Sequence, residues 1–364
     1  MMPENCCNYC IGGEFGISAD LFLQPVAEQE VLPFGRKFHI YSDTGRSALY
    51  VALLEIIKRG GSKEAWLPRY SCDSVLLPFR QLGFSIHFYS MGRDLETLDR
   101  LPVRINSATF LFIHYFGKKN YPVTNWLNGL SPEERPLFVI EDCVQAALNG
   151  SIGSYGDFAI ASYRKFFPQP DGAVLASDIP LAAHLAEPDE NFVSERLAAK
   201  IVREGGGRPD AFLALLATAE ERISNEITPR KMSWLSRYLF MRTDMKQIRR
   251  RRRGNWKYLF SRLKAEGLAG VHLFPIYETL EEDEVPLGLP ILVDQAIRND
   301  FRSYLMTHNI FCPIHWPLED EERDAGWTCE HELSASMLTL PIDQRVTEPA
   351  LDYMIDKMKI FFTR

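Results

Sequence analysis

Between Lys37 and Ala176 short apolar runs alternate with segments of helical period. Lys37 to Ser42 reads as a strand and Asp43-Thr44-Gly45 as a turn, with Asp43 or Thr44 as N-cap of the helix that follows. Leu49, Leu53, Ile56 and Ile57 recur at helical spacing until Gly60-Gly61 closes the segment. Further strands are expected at Ala65 to Leu67, Ser85 to Tyr89, Ala108 to Tyr115, Leu137 to Ile140, Asp157 to Ala161 and Ala173 to Ala176. Several of these runs are almost continuously apolar, which suits parallel strands covered on both faces. The pattern therefore predicts an α/β domain from about Glu30 to about Asp178. Beyond Pro180 it predicts long helices over Asn191 to Glu221 and Tyr238 to Glu266. A strand near Leu289 to Val293 and helices over about Asp294 to His308 and Glu348 to Phe362 complete a second α/β segment. The run Glu281-Glu282-Asp283-Glu284 reads as an exposed loop, and no internal repeat is found.

The 364 residues, 46% of them hydrophobic, are enough for a full core in two to three units. A formal charge of -7 argues against a sequence-independent grip on nucleic acid, which needs a basic surface. There is no apolar run of the roughly 20 residues that span a bilayer, and MMPENCCNYC lacks the basic start and apolar core of a signal peptide. A cytoplasmic protein without membrane contact is the expectation. Seven cysteines, an odd number spread over a long chain, fit thiols better than a disulfide framework.

Candidate chemistry sharpens this picture. Phe138-Val139-Ile140-Glu141-Asp142 is an apolar strand ending in an acid, at the sheet edge where open α/β folds bind ligands. Such an acid can simply cap the next helix. It can also keep the proton on the pyridine nitrogen of pyridoxal phosphate (PLP), which makes that ring an electron sink. About twenty residues on, Lys165 follows the buried run Phe158 to Ser162 and precedes a Pro/Gly turn. Partial desolvation there would lower its pKa and free its amine to form a Schiff base. A lysine by itself reads as a surface residue; the spacing from Asp142 singles this one out. A third element, Thr44-Gly45-Arg46-Ser47, opens a helix whose first amides can hold a phosphate, with Arg46 or Ser47 as side-chain donors; ordinary capping explains it as well.

In this order the three segments resemble the DegT/DnrJ/EryC1/StrS family of PLP-dependent aminotransferases. Thr44-Gly45-Arg46-Ser47-Ala48-Leu49 is similar to the family's phosphate turn, Glu141-Asp142-Cys143-Val144-Gln145 to its acidic strand end, and Ser162 to Lys165 with Gly172-Ala173 to its lysine segment. Leu67 to Cys72, Ile314-His315-Trp316-Pro317 and Leu338 to Asp343 extend the likeness. The resemblance implies an aspartate-aminotransferase-like fold of type I, with a mostly parallel central sheet flanked by helices and a smaller C-terminal α/β domain. It places the large domain at 30–240 and the small one at 1–29 and 241–364. It implies Lys165 as the Schiff-base residue, Asp142 at the pyridine nitrogen, Gln145 near the ring hydroxyl and Ser162 at the phosphate. It further implies an amino-acid donor, a nucleotide-linked keto-sugar acceptor in polysaccharide or glycoside biosynthesis, and a homodimer.

The chain also departs from the family pattern. Arg46 replaces a threonine, and Cys72 falls where an aromatic ring usually stacks, leaving Tyr70 or another ring to cover the cofactor. Two residues are missing between Ser162 and Lys165, and the family's segment that reaches across a dimer is replaced by Ile223 to Arg230, where Asn225 is the one candidate for its asparagine. A sugar dehydratase of the same scaffold would carry histidine at position 165, and a PLP- or sugar-binding regulatory protein is the non-enzymatic alternative. The five arginines Arg249 to Arg253 read as a solvated or acid-paired helix surface. Cys7 and Cys10, with Cys6 beside them, lack a second ligand pair for zinc, so no metal is expected. His114 and His315 sit at predicted strand or loop edges where they could line the pocket, and a hydrogen-bonded structural role is the preferred reading for both.

Overall fold

The computed structural model describes residues 9–27, 34–100, 105–318 and 326–363; Cys6 and Cys7 lie outside them. Two compact units are present, one of Glu14–Met245 with Leu280–Val285, the other of Met1–Gly13, Lys246–Thr279 and Pro286–Arg364.

The larger unit is built on an eight-stranded sheet. In chain order, after β1 (Ile11–Gly12) of the smaller unit, its strands are β2 (Phe38–Ser42), β3 (Glu64–Pro68), β4 (Ser85–Met91), β5 (Leu98–Arg100), β6 (Thr109–Ile113), β7 (Phe138–Asp142), β8 (Phe158–Ser162) and β9 (Ala173–Ser177). They lie in the order β2-β9-β8-β7-β6-β3-β4-β5. The run β8-β7-β6-β3-β4 is parallel, while β9 runs against both β8 and β2. Every residue of β6, β8 and β9 is buried, as expected of strands covered on both faces. This is the mostly parallel sheet flanked by helices that the hydrophobic pattern predicts.

Because β9 is antiparallel to its two neighbours, Ser42 and Ser162 both pair with Ala173, so the ends of β2 and β8 lie at the same edge on either side of β9. Ile113 and Asp142 end at the same edge, in register with each other. The loop from Tyr163 to Gly172 is the connection between β8 and β9. Its last residue has φ +122°, and a β-carbon there would lie 2.9 Å from Met232 Cε and 3.1 Å from Tyr163 Cδ2. Gly172→Ala is therefore expected to cost about 1–3 kcal/mol, read as a lower urea midpoint. An unchanged midpoint would show that this loop re-packs freely.

Two expected long helices are interrupted. Asn191 to Glu221 divides into α5 (Glu190–Glu204) and α6 (Pro209–Ser224), because Gly205-Gly206-Gly207 ends the first and Pro209 opens the second. Tyr238 to Glu266 divides into α7 (Trp234–Phe240) and α8 (Met245–Ala265). Helix α2 (Gly45–Lys58) follows β2 directly, and its N-cap is Thr44, whose Oγ1 accepts from the Ser47 amide.

The acidic run at 281–284 is not a freely exposed loop. Glu284 is fully buried and meets Lys118 Nζ at 3.0 Å, and its Oε1 accepts from the Lys119 amide at 2.8 Å. Asp283 pairs with Lys119 Nζ at 2.6 Å, and the Val285 amide donates to Asn149 Oδ1 at 2.7 Å. Two buried or half-buried lysines supply the countercharge that this acidic segment needs in order to pack.

The smaller unit holds an antiparallel sheet of β10 (Phe274–Pro275), β11 (Leu289–Leu292) and β13 (Met337–Leu340), and β1 pairs in parallel with β12 (Ile310–Phe311). In α8 the arginine run is not uniformly solvated, since Arg252 is buried and donates to Gln344 Oε1 and the carbonyls of Pro286 and Leu287. Burial pulls its guanidinium down to about 10. His315 is buried and bonded through Nδ1 to Thr339 Oγ1 at 2.9 Å.

Candidate active site

Four strand ends, at Ser42, Ile113, Asp142 and Ser162, define the edge at which the predicted residues collect. Asp142 closes β7, is buried, and accepts the Val144 amide at 2.9 Å through Oδ1. Burial pushes its carboxyl up to about 6, against the pull of that hydrogen bond and of the Lys165 charge. A carboxylate with one bonded oxygen in such surroundings is poised to receive a cationic group.

Its neighbour Glu141 points elsewhere and has a different task. Its Oε1 accepts from His114 Nε2 at 2.9 Å and from the Gly153 amide at 2.8 Å, and its Oε2 from the Tyr155 and Gly156 amides at 2.9 and 3.1 Å. Burial works against this charge, yet the His114 bond and these amides hold it down to about 2. The Asn120 amide donates to His114 Nδ1, so Nε2 carries the proton given to Glu141. His114 is thus a satisfied structural histidine. His114, Glu141 and Cys143 lie within ligand range of one another, but their nitrogens and oxygens are taken by hydrogen bonds, and burial pushes the Cys143 thiol well up. That set braces the loop after β7.

Gln145, three residues past Asp142, is buried, and its Oε1 accepts from the Phe116 amide at 2.8 Å. Phe116 stands at φ 52°, a left-handed conformation rare for an aromatic residue, which turns this amide toward Gln145. The Gln145 Nε2 is buried with no partner. An amide donor left unmatched beside a buried acid favours a ligand oxygen there.

The turn before α2, the end of β8 and the segment after β7 converge at Gly45. A β-carbon on Gly45 would lie 3.7 Å from both Ser162 Cβ and Val144 Cγ2. Thr44 Oγ1 caps Ser47, which leaves the amides of Gly45 and Arg46 at the positively polarised helix end. Asp43, whose Oδ1 accepts from the Thr44 amide, is raised to about 6 by burial.

Lys165 ends a 3-10 turn, Tyr163–Lys165, just past Ser162; its side chain is exposed rather than partly desolvated, while its charge still acts on Asp142. Arg46 is turned to α6, where Nη1 donates to the Ile223 carbonyl at 3.0 Å and Nη2 to Glu220 Oε2 at 3.1 Å. Tyr70 is wholly buried, its carbonyl accepting the Tyr115 hydroxyl at 2.7 Å, and Cys72 is the N-cap residue of α3 (Asp73–Gln81). Asn225 is exposed at the C-cap of α6. The segment that runs beside the turn before α2 is instead Arg230 to Met232: the Asp43 amide donates to the Arg230 carbonyl, the Met232 amide to the Tyr41 carbonyl, and Ser42 bridges Lys231. Sequence spacing carries no signal for that pairing, because the α5–α6 hairpin separates it from β2.

No family model and no curated protein matches the sequence. Solved structures do match its fold. A DegT DnrJ EryC1 StrS aminotransferase from Brucella abortus is 14% identical with a TM-score of 0.62, covering 90% of this chain and 86% of its own. S. venezuelae DesV in complex with a ketimine intermediate is 18% identical at a TM-score of 0.62, with the same coverages of 90% and 86%. The Streptococcus pneumoniae protein Spr1654 in its PMP form is 13% identical at a TM-score of 0.64, covering 98% of this chain and 99% of its own. The chain therefore has the fold type I architecture of these proteins.

Proposed function

We propose that this fold carries a PLP-dependent aminotransferase that moves an amino group from an amino-acid donor to a keto-sugar. The observation that bears most weight is the buried pair at the end of β7: Asp142 with one free oxygen, and Gln145 with an unmatched Nε2. Both suit a flat heterocycle with a basic nitrogen and a hydroxyl. When bound, PLP supplies an electron sink for the carbanion formed at the donor Cα.

In this reading Asp142 keeps the proton on the pyridine nitrogen, and Gln145 Nε2 donates to the ring hydroxyl. Ser162 and the first amides of α2 hold the phosphate. Lys165 anchors the cofactor carbonyl through Nζ. The same Nζ, as a free amine, would be the group placed to move a proton at the donor Cα. Its exposure suits a group that must leave one bond and re-form it in each turnover. Lysine at this position supports amino transfer over dehydration. A nucleotide-linked sugar, a role in polysaccharide or glycoside biosynthesis, a homodimer and a cytoplasmic setting rest on the resemblance; no described helix is long and apolar enough to cross a membrane.

The direct test adds PLP to the purified protein, reduces it with borohydride and maps the label by peptide mass spectrometry. Label on Lys165, and discharge of the yellow colour by glutamate or another amino donor before reduction, is expected; label elsewhere would sink the assignment. Gln145→Leu is expected to weaken PLP binding about tenfold by removing one donor. Unchanged affinity in an absorbance titration would take Gln145 out of the site.

A further inference from the structure

Beside the lysine turn, three guanidinium groups close on one carboxylate. Arg46 opens α2, Arg164 directly precedes Lys165, and Arg196 lies on α5. Arg196 Nη1 meets Glu220 Oε1 at 2.6 Å, Arg46 Nη2 meets Oε2 at 3.1 Å, and Arg164 also bonds Oε1. Lys200 and Arg196 reach a second acid, Glu14, at 3.3 and 3.7 Å. The cluster thus sets four cationic side chains against two carboxylates. Asp171, whose charge also reaches Arg164 and Arg196, is already engaged by the Ser233 amide and hydroxyl.

The arginines of this cluster are more buried than its acids. Arg164 and Arg196 lie over the Phe192 ring at 5.6 and 5.7 Å, and the Arg196 side chain is only 3% exposed. The Nε atoms of Arg164 and Arg196 are buried without partners. Burial and the adjacent Arg164 pull Arg196 down to about 10, as expected where cationic charge exceeds its countercharge. Glu220 is the movable member, a flexible side chain 40% exposed on α6.

We propose that Arg46, Arg164 and Arg196 form an oxyanion site that Glu220 fills from within the chain, and that a carboxylate or phosphate group of a ligand occupies it by displacing Glu220. Planar guanidinium forks match both groups, and a carboxylate is already seated there. Displacement needs only side-chain rotation at Glu220, since the arginines are held by α2, α5 and the end of β8. The inference goes beyond the PLP reading and does not depend on it.

Isothermal titration of inorganic phosphate and of succinate, into PLP-saturated protein and into protein without PLP, tests this in chloride buffer. Glu220→Gln keeps the shape of the side chain and removes its charge. It is expected to bind phosphate or succinate about tenfold more tightly than the wild type. Adding Arg196→Met, or Arg46→Met should the buried change prevent folding, is expected to remove that gain. Gain with phosphate alone assigns the site to a phosphoryl group, and gain with succinate alone to a carboxylate. No gain in Glu220→Gln, or a gain that survives the arginine substitutions, overturns the proposal. So does a gain that vanishes once PLP is bound, because the arginines would then be the cofactor's own phosphate seat. A protein that stays colourless with PLP yet shows the gain would refute the cofactor reading and leave the anion site standing.

Discussion

Replacing Lys165 by alanine is expected to give a folded protein that does not form the borohydride-stable PLP adduct and that transaminates at least about a thousandfold more slowly. The expectation of intact folding follows from position: the side chain is exposed and ends a short turn, so its loss is expected to change stability by no more than about 0.5 kcal/mol. The loss of activity follows from a lack of substitutes. On the same edge Asp142 and Gln145 are buried and offer no amine, and Arg164 is bound to Glu220. A variant that still forms the adduct, or keeps more than a few percent of the wild-type rate, would mean that another amine does this chemistry.

Asp142→Asn is expected to act in opposite directions on stability and activity. The wild-type carboxyl is raised by burial to about 6, so in protein without cofactor it favours the folded state fully only below its ordinary value near 3.8. That contribution is lost as the pH rises through about 6, where the buried group must carry charge. Asparagine keeps the acceptor for the Val144 amide without the charge. At pH 7 the cofactor-free variant is therefore expected to be more stable than wild type by about 2–3 kcal/mol, with the difference shrinking toward pH 4. Asp43 is raised in the same way and is present in both proteins, so the difference isolates Asp142. Urea unfolding at several pH values reads it directly; a variant less stable than wild type at pH 7 would show that the charge is paid for within the protein. Transamination is expected to fall by about a hundredfold or more, because a neutral amide does not hold the pyridine proton. With PLP bound, the wild-type pH dependence is expected to flatten, since a pyridinium then balances the acid.

Much of the larger unit is legible because β6, β8 and β9 are buried on both faces and therefore written as apolar runs. Asp142 and Lys165 stand out in the sequence as an acid and an amine at the ends of two such runs, and the structure sets those two strand ends at one edge of the sheet. What escaped was set by contacts between distant residues. The division of α5 from α6 was written in three successive glycines, yet the periodicity across them reads as one helix. Arg46 carries nothing in its own neighbourhood to show that Glu220, 174 residues on, takes up its charge. The pairing of Arg230 to Met232 with β2 rests on backbone hydrogen bonds, to which side-chain patterns are blind. The acidic run at 281–284 looked solvated because its countercharges, Lys118 and Lys119, lie more than 160 residues earlier.

That acidic run has a further meaning for how the chain is made. Residues Leu280–Val285 belong to the larger unit although the segments before and after them belong to the smaller one. A nascent chain that has emerged only as far as Met245 holds all eight strands, but not Glu284, the buried partner of Lys118, nor the Val285 amide that satisfies Asn149. These contacts of Lys118 and Asn149 are thus completed only when translation has passed position 285, and a fragment cut at the first crossing would lack them. The two units are interleaved in synthesis, and neither can be excised as one continuous piece of sequence.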